Sequence, residues 1–402
     1  MRSVISQLDD QAVWEEFLAH RLVKGRFTWP MFSDADDYVG NEGYRLTARA
    51  FMRGEGPGIP ERKRINKMGT GRKRTVYCFN PEETRVLKLI AFLLYRYDER
   101  FSPNCYAFRR GIKVSDAILR IRKALHGRRM WAYKLDIHDY FNSISIPILL
   151  PILQDLLHDD PPLYAFFERM LTDGRALADG EIVTENRGVM AGTPTSPFLA
   201  DVYLMEVDKH FTEAGVLYAR YSDDIILFAQ TRQELEGHRT VMLRFLEKYG
   251  LEVNPDKEQI YSPDEPFEFL GFRCHGNAID ISSAVKAKMK GKIRRAARSL
   301  HRWRSEKNLS AEQAMKALIR QFNAKFFEGD DPESLSWSRW FFPVINRTGG
   351  LKEIDLYLQQ YLRYLSTGRH TKANYQVRYA DLKALGYRSL VHAYYLQRKT
   401  RK

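Results

Sequence analysis

The sequence predicts an α+β protein in which an antiparallel sheet backed by helices is followed by a helical region. Apolar, β-prone runs at residues 216–219 and 225–229 flank the tetrapeptide Tyr-Ser-Asp-Asp at 221–224, a pattern typical of a β-hairpin. The run at 131–137 is typical of another buried strand. Beyond Ile281 the sequence is almost entirely helical in character, and this change predicts a boundary between two lobes near 276–284.

The elements before the sheet follow from local signals. Trp14, Phe17 and Leu18 recur at helical spacing, which predicts helices over residues 1 to about 50. A segment rich in glycine and proline at 54–60 predicts a loop. A basic block then leads into a predicted strand at 75–79. The next helix begins at Pro81, because proline and the acids that follow it suit a first helical turn.

The charge balance predicts a polyanionic partner, with nucleic acid as the first candidate. The 402 residues include 64 Lys and Arg against 50 Asp and Glu, a net charge of +14. Three scattered cysteines have neither metal-type nor redox spacing, which favours a reducing compartment. The sequence has no apolar run of membrane-spanning length and no signal peptide pattern at its start. We therefore expect a cytoplasmic protein with no membrane partner.

Three acids indicate a metal site. Asp223 and Asp224 lie at the tip of the predicted hairpin, and no Lys or Arg lies within the turn to offset two buried anions. The alternative is an exposed acidic turn. Asp136 ends the predicted strand at 131–137, so the three carboxylates would converge if the two strands are neighbours in one sheet. Two Mg²⁺ ions held by such acids are the usual apparatus of in-line nucleotidyl transfer, with Mn²⁺ as an alternative.

A second basic feature lies in the predicted helical region. Residues 284–304 contain nine Lys and Arg and no acid. Cations this close repel one another unless a polyanion neutralises them, so we expect a salt-sensitive nucleic-acid surface, with a merely solvated helix face as the alternative. Trp337 and Trp340 are candidates to stack on exposed bases. The basic residues chosen as candidate contacts are Lys290, Lys292, Arg294 and Arg295.

Five motifs occur in the order of motifs A to E of reverse transcriptases. They are Asp136 with Phe141, the Gly-Thr-Pro-Thr-Ser-Pro turn at 192–197, the tetrapeptide at 221–224, Lys257 after Asn-Pro, and Phe-Leu-Gly-Phe at 269–272. Over about residues 60–275 the chain resembles bacterial reverse transcriptases of the group II intron and retron lineage, most of all the defence-associated enzymes of type 2. Residues 106–111 are similar to the fingers motif of that lineage.

This resemblance implies a right-hand polymerase fold. It places an N-terminal helical extension at 1–60, fingers at 61–130, the palm at 131–275, and a helical thumb with a C-terminal extension at 276–402. Asp136 and Asp223 would be the principal metal ligands, with Asp224 as the auxiliary acid and Ile137 as a further metal and substrate contact. The ring of Phe141 would lie under the sugar of the incoming nucleotide and exclude a 2′-hydroxyl, although a lone Phe is otherwise more often a core residue.

The resemblance also assigns the remaining contacts. Gly192 would allow the backbone to approach the nucleotide closely. Lys257 would protonate or electrostatically steady the leaving pyrophosphate, and a surface lysine is the alternative. Candidates for the triphosphate are Arg72, Lys73 and Arg74, and those for template and primer are Arg109, Arg110, Ser196, Pro197, Tyr221, Leu270 and Gly271.

The resemblance implies RNA-directed DNA synthesis from dNTPs on a DNA primer. The predicted template is a dedicated, structured non-coding RNA, and the predicted setting is bacterial antiphage defence. Ala191 stands where the family usually has Gln before the motif B glycine, which puts ordinary handling of the incoming nucleotide in doubt. Two alternatives remain open: template-independent, protein-primed DNA synthesis, and a non-catalytic RNA-binding or splicing cofactor. The sequence does not predict the oligomeric state.

Overall fold

A computed structural model describes residues 2–23, 29–66, 73–328 and 336–400. The chain divides into two compact units, which we call the N-terminal unit (Met1–Glu265) and the C-terminal unit (Pro266–Lys402). Antiparallel sheets and helices occur in both units, so the predicted α+β class is confirmed. The division falls at Glu265, before the predicted boundary near 276–284.

The N-terminal unit contains two four-stranded sheets surrounded by helices. Its strands are β1 (Glu61–Asn66), β2 (Lys73–Cys78), β3 (Trp131–Asp136), β4 (Arg175–Ala178), β5 (Glu181–Thr184), β6 (Leu217–Tyr221), β7 (Asp224–Ala229) and β8 (Gln259–Tyr261). Its α-helices are α1 (Gln11–Val23), α2 (Trp29–Gly40), α3 (Arg45–Arg53), α4 (Pro81–Leu93), α5 (Val114–Leu125), α6 (Tyr140–Ser143), α7 (Ile146–Leu156), α8 (Pro161–Asp173), α9 (Ser196–Tyr203), α10 (Met205–Glu213) and α11 (Arg232–Lys248). Short 3₁₀ segments are Ile5–Gln7, Leu94–Arg100 and Pro255–Lys257.

The first sheet has the order β6-β7-β3-β8, and every pairing in it is antiparallel. The predicted hairpin is therefore present as β6 and β7, and the predicted strand at 131–137 is its neighbour β3. Most residues of β7 are buried, since its apolar side chains pack into the core of the unit.

The second sheet has the order β2-β1-β4-β5. Strands β1 and β2 form a hairpin in register from Glu61 opposite Cys78 to Asn66 opposite Lys73, and β4 joins β1 in parallel at one residue pair. Helix α4 begins at the predicted Pro81, and the side chain of Asn80 accepts a hydrogen bond from the Glu83 backbone N–H at its start.

The C-terminal unit combines a three-stranded sheet, in the order β11-β10-β9, with helices. Ser282 caps α12, whose buried Met289, Ile293 and Ala297 lie on one face. The predicted helical region beyond Ile281 is confirmed. The elements are β9 (Phe267–Phe269), β10 (Phe272–His275), β11 (Ala278–Ile281), α12 (Ser283–Lys307), α13 (Ala311–Asn323), a π-helical turn (Ala324–Glu328), α14 (Trp337–Phe341), α15 (Gly349–Thr367), a 3₁₀ segment (Lys372–Gln376), α16 (Tyr379–Ala384) and α17 (Leu390–Lys399). Across the described ranges of both units, every helix is too short or too polar to cross a bilayer.

Candidate catalytic site

The three predicted acids lie at one end of the first sheet. Strand pairing sets Asp136, the last residue of β3, directly opposite Asp224, the first residue of β7. Directly paired residues of neighbouring antiparallel strands have side chains on the same face. Asp223 precedes Asp224 in the turn, and its carbonyl oxygen accepts a hydrogen bond of 3.2 Å from the backbone N–H of Ile137. The sequence thus brings the acids and Ile137 together through the β3–β7 pairing.

The electrostatics of this cluster reflect three carboxylates close together. Burial raises the pKa of Asp223 to about 6, and the negative charges of Asp136 and Asp224 contribute to that rise. Burial also raises the pKa of Asp224. Asp136 is only 4 % exposed. The cluster therefore carries a concentration of negative charge that favours a cation.

Lys257 is a cation that contacts Asp136, and the charge of Lys134 also acts on Asp224. The Nζ of Lys257 donates a hydrogen bond to Oδ2 of Asp136, while the side chain is 43 % exposed. Burial alone would lower the pKa of Lys257, but the hydrogen bond to Asp136 and the charges of the three carboxylates raise it above its ordinary value. The lysine therefore stays protonated beside the acids.

The donor set fits a hard divalent cation. Within the described ranges no group of three or more His, Cys, Asp and Glu side chains forms a ready metal cage. Mg²⁺ is usually bound by one or two carboxylates, and substrate phosphates and water complete its octahedron. The paired carboxylates of Asp136 and Asp224, with Asp223 beside them, suit that mode of binding.

The segment at residues 252–257 forms hydrogen bonds with Asp136 and with the backbone that follows it. The Asn254 backbone N–H donates to the Asp136 carbonyl oxygen at 2.8 Å, and Asn254 Nδ2 lies 3.3 Å from Asp136 Oδ1. The His138 N–H donates to the Glu252 carbonyl oxygen at 2.8 Å. Asn254 was not predicted from the sequence, although its place before Pro255, within the motif that contains Lys257, was a usable signal.

The buried side chain of Arg220 contacts the turn that carries Asp223. Arg220 has no exposed surface, and its guanidinium donates to Asp201 at 3.1 Å and to Asp208 at 2.5 Å. The same guanidinium lies 3.3 Å from the carbonyl oxygen of Ser222, which has a left-handed φ of +60°. This cluster was not predicted from the sequence. The signal was an arginine inside an otherwise apolar strand.

The same strand residue joins the turn to the loop at 104–106. The Arg220 N–H donates to the Asn104 carbonyl oxygen, and the Tyr106 N–H donates to the Arg220 carbonyl oxygen, each at 2.9 Å. Arg220 Nη2 also lies 3.3 Å from Cys105 Sγ. The segment predicted as the fingers motif is therefore hydrogen-bonded to the strand that leads into the acids.

Phe141 and Gly192 lie on neighbouring segments. Phe141 is partly buried in the short helix α6, and its carbonyl oxygen accepts a hydrogen bond of 2.9 Å from the Val189 N–H. Gly192 has a φ of +99°, and a Cβ at this position would lie 3.1 Å from the Val76 side chain. Glycine is thus required here by close packing against β2 as well as by its left-handed conformation.

The other predicted contact residues of the N-terminal unit differ in how exposed they are and in the hydrogen bonds that they form within the unit. Lys73 and Arg74 are exposed at the start of β2, whereas Arg72 lies outside the described residues. Arg109 donates to the carbonyl oxygens of Asp98, Ser102 and Cys105 at 2.7 to 3.0 Å, so its guanidinium fastens a loop. Arg110 is exposed. The Ser196 hydroxyl donates a hydrogen bond to the Thr193 carbonyl oxygen, and Pro197 follows it in the first turn of α9. Tyr221 is the last residue of β6.

The predicted contacts of the C-terminal unit also differ. Leu270 and Gly271 form the left-handed turn between β9 and β10. Lys290 pairs with Glu353 of α15, so its charge has a partner within the unit. Lys292 lies beside Lys325, and burial together with the charge of Lys288 lowers the pKa of Lys292. Arg294 and Arg295 are exposed.

The two predicted stacking residues are less open than the sequence suggested. The ring of Trp337 packs against Phe341 and Phe326 at centroid distances of 4.6 and 5.6 Å. Trp340 is only partly exposed. Trp337 therefore contributes to internal packing of the C-terminal unit.

Known proteins resemble this chain over about half of its length. The family described as reverse transcriptase (RNA-dependent DNA polymerase) matches residues 65–274. Retron Mx65 reverse transcriptase of Myxococcus xanthus is 23 % identical over 207 residues, which cover 49 % of this chain and 47 % of that protein. Retron Ec86 reverse transcriptase of Escherichia coli is 21 % identical over 227 residues, which cover 55 % of this chain and 65 % of that protein. The matched region thus spans about half to two thirds of these relatives.

Solved structures of telomerase are also similar. Apo telomerase from Candida tropicalis has a TM-score of 0.49 at 14 % identity, with 88 % of this chain and 64 % of that chain covered. Telomerase from Candida albicans, in complex with a TWJ fragment of telomeric RNA, has a TM-score of 0.46 at 13 % identity, with 87 % and 68 % covered.

Proposed function

Because the chain belongs to the reverse transcriptase (RNA-dependent DNA polymerase) family, we propose that it synthesises DNA on an RNA template. Membership of this family confirms the predicted right-hand polymerase fold. The observation that carries the proposed activity is the pairing of Asp136 with Asp224 across β3 and β7, with Asp223 in the adjoining turn. All three acids and Lys257 lie within the matched region.

The acids would act as ligands for two divalent cations. We propose that Asp136, Asp223 and Asp224, with Ile137 beside them, hold Mg²⁺, or Mn²⁺ in its place. When bound, these ions supply charge neutralisation at the reacting phosphate and lower the pKa of the primer hydroxyl. The buried Arg220 cluster would keep the turn that carries Asp223 in a fixed position, since its guanidinium contacts the Ser222 carbonyl oxygen.

Lys257 would act on the leaving group. In the proposed reaction the primer 3′-oxygen bonds to the α-phosphorus of a dNTP, the bond from that phosphorus to pyrophosphate breaks, and the primer hydroxyl loses its proton. A lysine ammonium group is protonated at neutral pH, so Lys257 Nζ could donate a proton or a hydrogen bond to pyrophosphate. Its exposed position beside Asp136 is consistent with that role.

Phe141 and Gly192 would select and seat the nucleotide. The partly exposed ring of Phe141 would exclude a 2′-hydroxyl and so favour dNTPs over NTPs. Gly192, which has no side chain and is exposed, would leave room for the substrate near β2, where Lys73 and Arg74 present mobile positive charge.

The proposed template is a structured RNA with a DNA primer and product. The net charge of +14 and the exposed Arg294 and Arg295 of α12 support a polyanionic partner. Two relatives are retron reverse transcriptases. A dedicated non-coding RNA as the template stays a prediction from the sequence. The setting in antiphage defence and the location in the cytoplasm stay predictions from the sequence.

The decisive experiment measures dNTP incorporation by the purified chain on an oligo(rA) template with an oligo(dT) primer and Mg²⁺. We expect Asp223→Asn to lower incorporation about a hundredfold or more, because a metal ligand is removed. Glu181→Gln, a neutralised exposed acid on β5, should retain full activity. Activity that survives in Asp223→Asn would remove the proposed site. Synthesis that needs no template and resists RNase would favour the protein-primed alternative.

A further inference from the structure

An exposed aromatic ring outside the predicted site lies beside Phe141. We infer that Phe108 is a positioning residue for sugar selection, which acts by bracing the ring of Phe141. This inference rests on the proposed function, and the experiment below separates the failure of one from the failure of the other.

The loop that carries Phe108 is held in place on several sides. Tyr106 is hydrogen-bonded through its N–H to the Arg220 carbonyl oxygen. Arg109 donates to three carbonyl oxygens of residues 98–105. The backbone that presents the Phe108 ring therefore has little freedom, so the ring has a defined position.

Stability does not account for a phenylalanine at this place. Phe108 has a φ of +55°, a conformation that bulky residues rarely adopt and that favours Gly or Asn. Its side chain is also 40 % exposed. The left-handed backbone disfavours a bulky side chain, and 40 % exposure limits what burial of the ring contributes, so the contacts of the ring are the most direct explanation for a phenylalanine here.

The ring of Phe108 contacts two side chains of the candidate site. Its centroid lies 6.4 Å from that of Phe141, with the planes at 75°, which is an edge-to-face contact. It lies 6.2 Å from the ring of Tyr221, which leads into the acidic turn. Phe108 thus bridges the segment after β3 and the end of β6.

Phe141 is braced from another direction as well. The ring of Tyr140 lies 5.8 Å from it at 68°, and Tyr140 is buried with its hydroxyl donating to the Ala200 carbonyl oxygen. Phe141 therefore lies between a buried ring and the exposed ring of Phe108. If Phe108 is removed, Phe141 loses one of these supports and can move away from a 2′-hydroxyl.

The measurement is single-nucleotide addition of dTTP and of UTP on oligo(rA) primed with oligo(dT), reported as the ratio of the two kcat/KM values. We expect Phe108→Ala to lower the preference for dTTP about two- to tenfold, the range that corresponds to one edge-to-face contact. Phe108→Tyr keeps the ring and should restore discrimination. If Phe108→Ala does not fold, Phe108→Leu, which also lacks a ring, has the same expectation.

A double substitution tests whether Phe108 acts through Phe141. Phe141→Ala should lower the preference further than Phe108→Ala, and Phe108→Ala should add nothing in the Phe141→Ala background. Ile182→Ala, which removes an apolar side chain that is 61 % exposed on β5, should leave the ratio unchanged.

Three results would overturn the inference. The first is an unchanged ratio of the dTTP and UTP kcat/KM values in Phe108→Ala, and the second is additive effects of Phe108→Ala and Phe141→Ala. The third is a loss of dTTP addition in Phe108→Ala that is as large as the loss of UTP addition. The last result would mean that Phe108 acts in a step that dTTP addition and UTP addition share. An inactive wild-type chain would instead contradict the proposed function. A wild-type chain that is active and an unchanged ratio in the variant would contradict this inference alone.

Discussion

Lys257 is the residue whose contacts most directly suggest a chemical role. Its Nζ lies against Asp136, and its pKa is held above the ordinary value by the neighbouring carboxylates. We expect Lys257→Ala to lower the rate of nucleotide addition about a hundredfold, as for removal of a positioned proton donor. The effect should fall mainly on kcat, because charge on pyrophosphate develops in the transition state. Single-nucleotide addition over a range of dNTP concentrations measures both constants.

Lys248 provides the matched control for this prediction. It is also paired with a carboxylate, at 2.8 Å from Glu206, but it is exposed at the end of α11. Lys248→Ala should leave kcat unchanged. An equal decrease in both lysine variants, or an effect of Lys257→Ala on KM alone, would contradict the assignment.

At the residue scale, the sequence predicted the acids but not the groups that hold them. Asp136, Asp223 and Asp224 could be selected because each adjoins an apolar run that predicts a strand. Asn254 contacts Asp136 across 118 positions, and the partners of Arg220 lie on helices α9 and α10. Such pairs form only in the tertiary structure, so a local pattern can mark Asn254 and Arg220 but does not identify their partners.

Helix α12 separates its basic residues into two groups. Lys286 and Lys290 pair with Glu353 of α15, whereas Lys288, Arg294, Arg295, Arg298 and Arg302 are more open to solvent. We expect replacement of Arg294, Arg295, Arg298 and Arg302 by Gln to weaken RNA binding. The slope of log K against log salt should become shallower by about 0.7 to 0.9 for each RNA phosphate that these side chains no longer neutralise. Anisotropy of a labelled RNA across a KCl series measures this slope.

The paired lysines provide the control on the same helix. Lys290→Gln removes one positive charge but breaks an ion pair with Glu353, so it should change the salt slope little while it weakens the packing of α12 on α15. Equal slopes for the wild type and the variant with four arginines replaced would show that the exposed arginines face solvent only.

At the element scale, the sequence missed strands that lack an apolar signature. Strand β1 has the sequence Glu-Arg-Lys-Arg-Ile-Asn and is almost fully exposed, so its pairing with β2 and β4 identifies it rather than any apolar pattern. Strands β4 and β5 have four residues each, too few for a clear alternation. The acid that neutralises Lys290 is likewise on another helix, which explains why residues 284–304 looked unpaired in the sequence.

At the scale of the whole chain, the division at Glu265 falls before the lobe boundary that the sequence predicts near 276–284. Strands β9, β10 and β11 lie between Glu265 and the start of helix α12. Within the described residues they pair with one another, inside the C-terminal unit. The sequence does not specify which sheet such short strands join, because strand pairing depends on contacts between segments.

The stability of the N-terminal unit should depend on pH through Asp201. Burial raises the pKa of Asp201 to about 7, and the charge of Asp208 also acts to raise it, although Arg220 lowers it. Between about pH 4 and pH 7 the folded chain therefore keeps a proton that the unfolded chain releases. Its free energy of unfolding should fall by on the order of 2 kcal/mol from pH 5 to pH 8. Most of this fall should occur below pH 7, and the curve should level off above that pH.

Asp201→Asn should remove this fall, because an amide does not ionise while its Oδ1 can still accept the hydrogen bond from Arg220. Urea unfolding at several pH values between 5 and 8 gives the comparison, and the variant should gain stability relative to the wild type as pH rises. Asp179→Asn, at an exposed position of the same unit, should follow the wild-type curve. Parallel curves for the wild type and Asp201→Asn would mean that Asp201 is already ionised at pH 5 and that Arg220 outweighs burial.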